Sequence, residues 1–268
     1  MSGGFLERIV RSTRAAIADP AYLEGLPPEA PGRRPSLRKA VERDRSVGAL
    51  LAEFKRRSPG AAQPDLPVHT PAEFLEPLER TGVTGYSCLA STPEFRGRPA
   101  DVRELTTRTE RPVLFKEFVI DPVQLDAAAR AGASAVLLVA RLETSGFLET
   151  PLAELARGAH ARGLEVLLEW HERAELRRTE DVAADVYGVN VRDLDTLELR
   201  REVAAETIRA AAERRPLLGL SGVDGPVEAR RFWQLGVDGV LVGSALARAP
   251  DPAGFLEGLR RARSGGMS

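Results

Sequence analysis

Charged side chains interrupt three apolar, strand-like segments of this chain at positions suited to proton transfer. Glu53 and Lys55 lie in ALLAEFK, Lys116 lies in PVLFKEF, and Glu169 lies in EVLLEWH. The chain has 35 arginines but only three lysines, so arginine serves at most positions that carry a positive charge. A lysine amine can lose its proton, whereas a guanidinium is effectively always protonated. Lys55 and Lys116 are therefore candidates for acid–base chemistry, with codon drift as the alternative for either one alone.

The segments that carry these residues belong to a regular alternation of strand-like and helical patterns. Eight short apolar runs are predicted as strands, at residues 49–55, 85–91, 112–118, 134–140, 165–171, 186–190, 216–221 and 238–244. Helical patterns between them include residues 71–82, 121–132, 146–163 and 227–236. This alternation predicts a parallel sheet, and eight units over about 220 residues match a closed (β/α)8 TIM barrel of the α/β class.

A doubly wound α/β sheet is the structural alternative. It would usually have a nucleotide-binding loop after its first strand, and neither GxGxxG nor GxxxxGK[ST] occurs there. Ahead of the barrel pattern, an amphipathic helix is predicted at about Phe5 to Ala18, followed by a Pro/Gly-rich segment and the short helix SLRKAVERD. We therefore expect an N-terminal helical extension over residues 1–48, packed on a barrel over residues 49–264, as a single domain overall.

Polar side chains cluster at one end of the predicted barrel. Side chains alternate across a strand, so Glu53 and Lys55 share a face. A charge inside a barrel carries a large desolvation penalty except near the C-terminal mouth, where active sites of this architecture lie. Six residues fall at such strand ends: Glu53, Lys55, Lys116, Glu169, Asn190 and Arg192. Structural ion pairs are the alternative explanation, but convergence from four strands favours a site.

The last two strands end in small residues that favour anion binding. Strand seven ends in GLSG and strand eight in LVGSAL. Loops after these strands form the common phosphate site of this architecture, where backbone N–H groups and hydroxyls receive the anion. Ser221, Gly222, Gly243 and Ser244 are therefore candidate phosphate ligands, although Gly and Ser are also ordinary turn residues.

Composition limits the partners that we expect. The formal net charge is −1, with 38 basic and 39 acidic residues, which gives no basic patch for nucleic acid and favours a small-molecule partner. No apolar run approaches the roughly 20 residues of a membrane span. The single cysteine, Cys88, excludes an internal disulfide and favours the cytoplasm. His69, His160 and His171 have no metal-ligand spacing, so no metal site is expected.

Six segments together resemble the indole-3-glycerol phosphate synthase family, in order and with similar spacing over nearly the whole chain. They are EFKRRSP, FKEFVIDPVQL, LLEWH, GVNVRDLDTLEL, LSGV and GVLVGSAL. The resemblance implies a carboxy-lyase of tryptophan biosynthesis that needs neither metal nor cofactor. It would close the ring of 1-(2-carboxyphenylamino)-1-deoxyribulose 5-phosphate and release carbon dioxide and water, giving indole-3-glycerol phosphate. It also implies a monomer.

The resemblance further implies roles for individual residues. Lys116 is similar to the general acid, Glu169 to the acid/base partner of the later steps, and Glu53 to a carboxylate of the same network. Lys55 resembles the lysine that engages the anthranilate carboxylate, and Asn190 and Arg192 resemble polar substrate contacts. Residues similar to the wall around the aromatic ring are Pro59, Leu89, Phe95, Phe118, Leu137 and Leu194, and Ser58 falls beside the phosphate end with Ser221, Gly222, Gly243 and Ser244.

The sequence departs from the family pattern chiefly at Leu220, where a glutamate is usual. Other departures are Gly60, Arg98, Val191, the SCLAS segment and the lack of Asp-Pro in AAQPDLPVHTPAEF. These departures leave open a divergent member acting on a related phosphorylated substrate in specialised indole metabolism. A non-catalytic barrel that binds a sugar phosphate is a further alternative, as is another phosphate-binding barrel enzyme. We expect Leu220→Glu to raise turnover if the chain is a drifted synthase.

Overall fold

The eight predicted strands form a closed parallel barrel. The structure is a computed structural model that describes residues 4–32, 34–91 and 94–263. Each strand pairs in parallel with the next strand in the chain, and the last pairs with the first. The barrel closes in the order β1 to β8, so the prediction of a TIM barrel is confirmed and the open doubly wound sheet is wrong.

The strands begin and end within two residues of their predicted bounds. They are β1 Ala49–Phe54, β2 Gly85–Leu89, β3 Val113–Lys116, β4 Ala135–Val139, β5 Glu165–Trp170, β6 Val186–Asn190, β7 Leu217–Leu220 and β8 Gly239–Val242. The helices are α1 Phe5–Ala18, α2 Leu37–Asp44, α3 Pro71–Leu75, α4 Pro99–Thr106, α5 Pro122–Ala131, α6 Ala140–Thr144, α7 Leu152–Ala161, α8 Arg173–Arg178, α9 Arg201–Ala210, α10 Pro226–Gln234, α11 Ser244–Arg248 and α12 Pro252–Arg263. A 3-10 helix covers Pro20–Leu23.

Two predicted helical stretches are shorter than expected. The pattern over residues 71–82 gives a helix only to Leu75, because Pro77 lacks the N–H that would continue the helical hydrogen bonds. The pattern over residues 146–163 gives α7 from Leu152, with Pro151 as the residue that precedes the helix. Proline favours helix starts, so the long predicted helix was wrong in its first turn and a half.

Alternate residues of each strand pack into two separate cores. The inward-facing residues include Leu51, Leu114 and Leu167, which pack inside the barrel. The outward-facing residues include Leu50 and Phe115, which pack against the surrounding helices. Because successive side chains point to opposite faces of a strand, every second strand residue points into the barrel. The charged residues at the strand ends therefore point into the barrel at its mouth.

The N-terminal helices pack at opposite ends of the barrel. In α1, Phe5 and Ile9 are buried in the interior core together with Phe118, which lies just after β3. In α2, Leu37 packs in the same core, and the backbone N–H of Arg38 donates to Glu165 at the start of β5 (2.9 Å). The extension therefore covers the C-terminal mouth with α1 and the opposite end with α2.

None of the helices within residues 4–32, 34–91 and 94–263 is both long enough and apolar enough to cross a membrane. The predicted end of the barrel at residue 264 lies outside the described residues.

Candidate active site

A cavity at the C-terminal mouth of the barrel brings together most of the residues predicted from the sequence. Its lining includes the polar residues Glu53, Lys55, Ser58, Lys116, Glu169, Asn190, Arg192 and Ser221. It also includes the apolar residues Pro59, Leu89, Phe95, Phe118, Leu137 and Leu194. These residues come from seven of the eight strands or from the loops that follow them, so closure of the barrel is what joins them.

Two lysines flank one buried carboxylate in this cavity. Lys55 Nζ lies 2.7 Å from Oε1 of Glu53, and Lys116 Nζ lies 3.4 Å from its Oε2. The Glu53 side chain is 3% exposed, whereas Lys55 and Lys116 are 14% and 18% exposed and reach the cavity. Glu53 thus holds two ammonium groups at fixed positions, with both available to a ligand.

The electrostatics of this cluster favour its charged forms. Burial opposes ionisation of Glu53, but Lys116 and Lys55 outweigh that penalty and hold the pKa of the carboxyl below its usual range. Burial likewise opposes the charge on Lys116, but Glu53 and Glu169 outweigh it and raise the pKa of the amine. Lys116 is therefore protonated at neutral pH and has a proton to donate.

Asn190 and Arg192 follow β6 and are fixed by local hydrogen bonds. The backbone N–H of Arg192 donates to Oδ1 of Asn190 (3.0 Å), and the Arg192 guanidinium donates to the carbonyl of Leu197 (2.6 Å). Burial lowers the pKa of Arg192. The side-chain amide of Asn190 keeps its N–H groups for the cavity, since its oxygen is already used.

Aromatic and aliphatic side chains form one wall of the cavity. The rings of Phe95 and Phe118 stack with centroids 6.4 Å apart and planes 27° from parallel. Leu137 and Leu194 belong to the same interior core as Phe118. These side chains give the cavity an apolar face against which a flat apolar group can pack.

Two hydroxyls meet at the opposite end of the cavity. The Ser244 hydroxyl donates to Oγ of Ser58 at 3.1 Å, which joins the start of α11 to the loop after β1. Gly243 packs closely, since a Cβ there would lie 2.6 Å from Oε1 of Glu53 and 2.9 Å from Nζ of Lys55. Glycine at 243 therefore lets the β8 end approach the charged cluster.

The loop after β7 contributes one residue to the charged cavity and one to a neighbouring cleft. Ser221 and Gly222 both adopt left-handed backbone conformations, with φ of 64° and 67°. Ser221 lines the charged cavity, but Gly222 instead lines a neighbouring cleft beside Val191. Of the four predicted phosphate ligands, Ser221 lines the charged cavity. Gly243 and Ser244 do not line it but contact its lining residues, and Gly222 lines the neighbouring cleft.

Three further residues line the cavity and were not anticipated as site residues. Phe5 comes from α1, Leu197 from the loop after β6, and Glu117 follows Lys116. Phe5 is signalled only by its place on the apolar face of α1. Burial raises the pKa of Glu117 to about 7, although its oxygen accepts the Phe118 N–H at 2.9 Å. β3 ends at Lys116, so strand alternation does not determine which face the Glu117 side chain occupies.

Leu220 is buried inside the barrel and does not line the cavity. It is 1% exposed, pairs in register with Asn190, and packs against Gly188, where an added Cβ would lie 2.6 Å from its side chain. The side chain at this position is therefore part of the apolar packing inside the barrel, next to Asn190 in register.

The remaining residues considered from the sequence take structural positions. Cys88 is fully buried and packs between the sheet and the helices, and Trp170 packs in the same layer, as predicted. His171 is buried beside Glu169 and does not line the cavity. Among the described residues, no group of His, Cys, Asp and Glu has the arrangement of a metal site.

A second cleft, of about 350 Å³, lies between α9 and α10. Its walls are mainly apolar helix residues, including Ile208 and Phe232, and it contains none of the charged strand-end residues. The cavity at the mouth has instead a proton donor in Lys116, carboxylates, an amide and an apolar wall. Such an arrangement can stabilise developing negative charge on an oxygen, transfer protons and hold a flat anionic ligand.

Comparison with known families gives one match over nearly the whole chain. A family model described as indole-3-glycerol phosphate synthase matches residues 6–259. A relative of that name from Staphylococcus aureus is 34% identical over 221 residues, which is 82% of this chain and 82% of the relative. Another from Exiguobacterium sibiricum is 34% identical over 209 residues, which is 78% of this chain and 79% of the relative.

Solved structures with similar folds are more distant in sequence. A 3-hexulose-6-phosphate synthase from Salmonella typhimurium superposes with a TM-score of 0.61 at 20% identity, covering 81% of this chain and 99% of that one. A thiamine phosphate pyrophosphorylase from Pyrococcus furiosus gives a TM-score of 0.57, also at 20% identity, covering 84% and 98%. At this level of identity the likeness concerns the barrel fold alone.

Proposed function

The chain belongs to the indole-3-glycerol phosphate synthase family, and from this premise we propose how its own residues perform the reaction. The protein is a carboxy-lyase of tryptophan biosynthesis that acts on a small phosphorylated substrate. It converts 1-(2-carboxyphenylamino)-1-deoxyribulose 5-phosphate to indole-3-glycerol phosphate. In this reaction a carbon of the aromatic ring attacks the ribulose carbonyl, the ring carboxylate leaves as carbon dioxide, and a hydroxyl leaves as water.

Lys116 serves as the general acid of ring closure. As the carbon–carbon bond forms, the carbonyl oxygen gains negative charge and takes a proton from Nζ of Lys116. The charge on Lys116 is secured by Glu53, 3.4 Å from the amine, and by Glu169. A positioned acid of this kind contributes about 10²- to 10⁴-fold in rate.

Lys55 holds the substrate carboxylate until it leaves as carbon dioxide. It lies 2.7 Å from Glu53, so one carboxylate fixes both lysines and keeps them apart. An ammonium has three donors and Glu53 occupies one on Lys55, which leaves donors for the substrate. Glu53 acts in this network by placing and charging the two lysines.

During dehydration Glu169 receives the proton that leaves a carbon of the new five-membered ring, and the departing hydroxyl takes a proton from Lys116, which is reprotonated after ring closure, and leaves as water. It lies at the end of β5, is 2% exposed and lines the cavity. Asn190 and Arg192 contact the substrate's oxygen atoms from β6, where their hydrogen bonds to the local backbone hold them in place.

The apolar wall and the serine hydroxyls bind different parts of the substrate. Pro59, Leu89, Phe95, Phe118, Leu137 and Leu194 pack against the aromatic ring. Ser58, Ser221, Gly243 and Ser244 bind the phosphate, with Gly222 supporting their loop from behind. The contact between Ser244 and Ser58 supports this assignment, because it joins the loop after β8 to the loop after β1 at one end of the cavity.

The arrangement of Lys116, Glu53 and Lys55 carries this proposal, and Lys116→Ala tests it. We expect the variant to lose turnover of the carboxyphenylamino substrate by at least about 10²-fold while substrate binding, measured by calorimetry, changes little. Lys39→Ala is the matched control, because Lys39 is exposed on α2 at the other end of the barrel. Full activity in the Lys116→Ala variant would contradict the assignment, and a wild-type protein that binds but does not turn over would support a non-catalytic barrel.

We also propose that the protein works as a cytoplasmic monomer without nucleic-acid or membrane partners. In support, Val47 and Val227 are the exposed large hydrophobic residues of the described chain, and the formal net charge is −1. Residues 1–48 are proposed as an extension of a single barrel domain over residues 49–264, since α1 and α2 share its interior core. Light scattering after gel filtration tests the oligomeric state, and a mass of twice 29.0 kDa would contradict the monomer.

A further inference from the structure

A buried imidazole lies directly behind the carboxylate proposed as the base. Nε2 of His171 is 3.3 Å from Oε1 of Glu169, and the two side chains are 5% and 3% exposed. His171 does not line the cavity, whereas Glu169 does. The imidazole therefore contacts Glu169 without itself lining the cavity.

A second carboxylate lies on the far side of this imidazole. Nδ1 of His171 is 3.8 Å from Oε2 of Glu175, whose side chain is 1% exposed. The same Oε2 accepts the backbone N–H of His171 at 2.6 Å, and Oε1 of Glu175 accepts from Nε of Arg141 at 2.6 Å. Glu175 is therefore fixed at the first turn of α8 by both the backbone and an arginine.

The four side chains alternate in sign when the imidazole is protonated. Glu169 and Glu175 are then separated by His171, and Arg141 closes the series at the surface, where it also contacts Glu172 (3.4 Å). A neutral imidazole would leave two buried carboxylates close together, which is unfavourable in a site of low polarity. Burial opposes ionisation of Glu175, but His171 and Arg141 outweigh it and hold its pKa below the usual range.

Neither ring nitrogen of His171 forms a hydrogen bond with any described residue, and neither does Oε2 of Glu169. The imidazole is thus positioned by charge and packing rather than by a hydrogen bond, and Oε2 of Glu169 is itself buried. The other charged groups that act on this series are Lys116 from β3, which interacts with Glu169, and Asp193 after β6, which interacts with Arg141.

We propose that His171 is a positioning residue that keeps Glu169 ionised and oriented toward the cavity, with Glu175 and Arg141 fixing the imidazole in turn. The inference rests on the proposed role of Glu169 in dehydration. A base must be in its carboxylate form to accept a proton, and an imidazole 3.3 Å away favours that form when it is protonated.

The pH dependence of turnover tests the proposal in His171→Asn. An opposite charge at this distance typically moves a carboxyl titration by one pH unit or more. We therefore expect the acidic limb of kcat to move to higher pH by about one unit, so that kcat falls by up to about tenfold on that limb and changes little on the alkaline plateau. KM changes little, because His171 does not line the cavity. A merely structural role would lower kcat equally at all pH values.

His160→Asn is the matched control. His160 lies on α7, is 37% exposed and pairs with Asp185 at 2.9 Å, away from the cavity. This variant should keep the wild-type pH profile.

A second measurement does not depend on turnover or on the folding of the His171 variant. The chain has three histidines, so selective ¹⁵N-histidine labelling gives a spectrum of three imidazoles. We expect Glu169→Gln to move the His171 resonances and leave those of His69 and His160 in place.

Unmoved His171 resonances, or a His171→Asn profile parallel to that of wild type, would overturn the proposal. Lack of turnover by the wild-type protein would instead overturn the proposed function, and the spectra would still report whether His171 and Glu169 are coupled.

Discussion

Replacement of Glu117 by glutamine should stabilise the protein at alkaline pH and leave it nearly unchanged at acidic pH. Glu117 is 3% exposed, and burial raises the pKa of its carboxyl from the usual 4.5 to about 7. Nearby Glu94 acts in the same direction, whereas Lys116 and the Phe118 N–H act against it. Glutamine keeps an oxygen for that N–H at similar volume but cannot ionise.

The sign of the effect follows from proton binding. Between pH 4.5 and about 7 the folded state keeps the Glu117 proton while the unfolded state loses it, so the free energy of unfolding falls as pH rises. The fall is about 1.4 kcal/mol per pH unit, which amounts to about 3 kcal/mol by pH 8. Glu117→Gln escapes this loss, so its melting temperature should exceed that of wild type by roughly 6 to 9 °C at pH 8.

Urea unfolding followed by circular dichroism at pH 5 and pH 8 measures the difference. Glu257→Gln is the control for loss of one negative charge, since that side chain is 68% exposed on α12. The quantity of interest is the difference in unfolding free energy between Glu117→Gln and wild type, taken at each pH. If that difference is the same at pH 5 and pH 8, the buried carboxyl is not neutral at neutral pH and the reasoning fails.

Three further substitutions test the geometry of the cavity. Gly243→Ala should lower kcat about 10²-fold with little change in fold stability, because its Cβ would come within 2.6 Å of Glu53 and 2.9 Å of Lys55; unchanged kinetics in a steady-state assay would contradict the close approach. Leu220→Glu should raise kcat/KM about tenfold by adding an acidic group inside the barrel. It should also lower the melting temperature, because residue 220 is only 1% exposed. Equal or reduced turnover would indicate a site reshaped for another substrate. Phe5→Ala should raise KM several-fold with a smaller effect on kcat, since Phe5 lines the cavity from α1; an unchanged KM would place α1 outside substrate binding.

Much of the fold could be predicted from the sequence, because strands and helices depend on the local pattern of apolar and polar residues. The period of two in the strands and the Gly and Pro residues between them gave all eight strands within two residues. The helices were less regular where proline intervened, as Pro77 shows for α3. The charged strand ends were also readable, because a buried charge is so unfavourable that Glu53 and Lys116 had few places to lie other than the mouth.

Residue types and their order along the chain thus determined the barrel and the candidate acid–base set. Contacts between residues far apart in the chain were decided only by closure of the barrel. Closure of the barrel brings Lys55 and Lys116 to the same carboxylate, Glu53. It also packs α1 against the interior core at the mouth, and it leaves Gly222 in a neighbouring cleft rather than in the charged cavity. The relation of His171 to Glu169 and Glu175 is local in the chain instead, and it depends on how α8 packs against β5. Sequence periodicity reports which face a side chain occupies, but distance and burial, which set charge and reactivity, arise from the packing of distant elements.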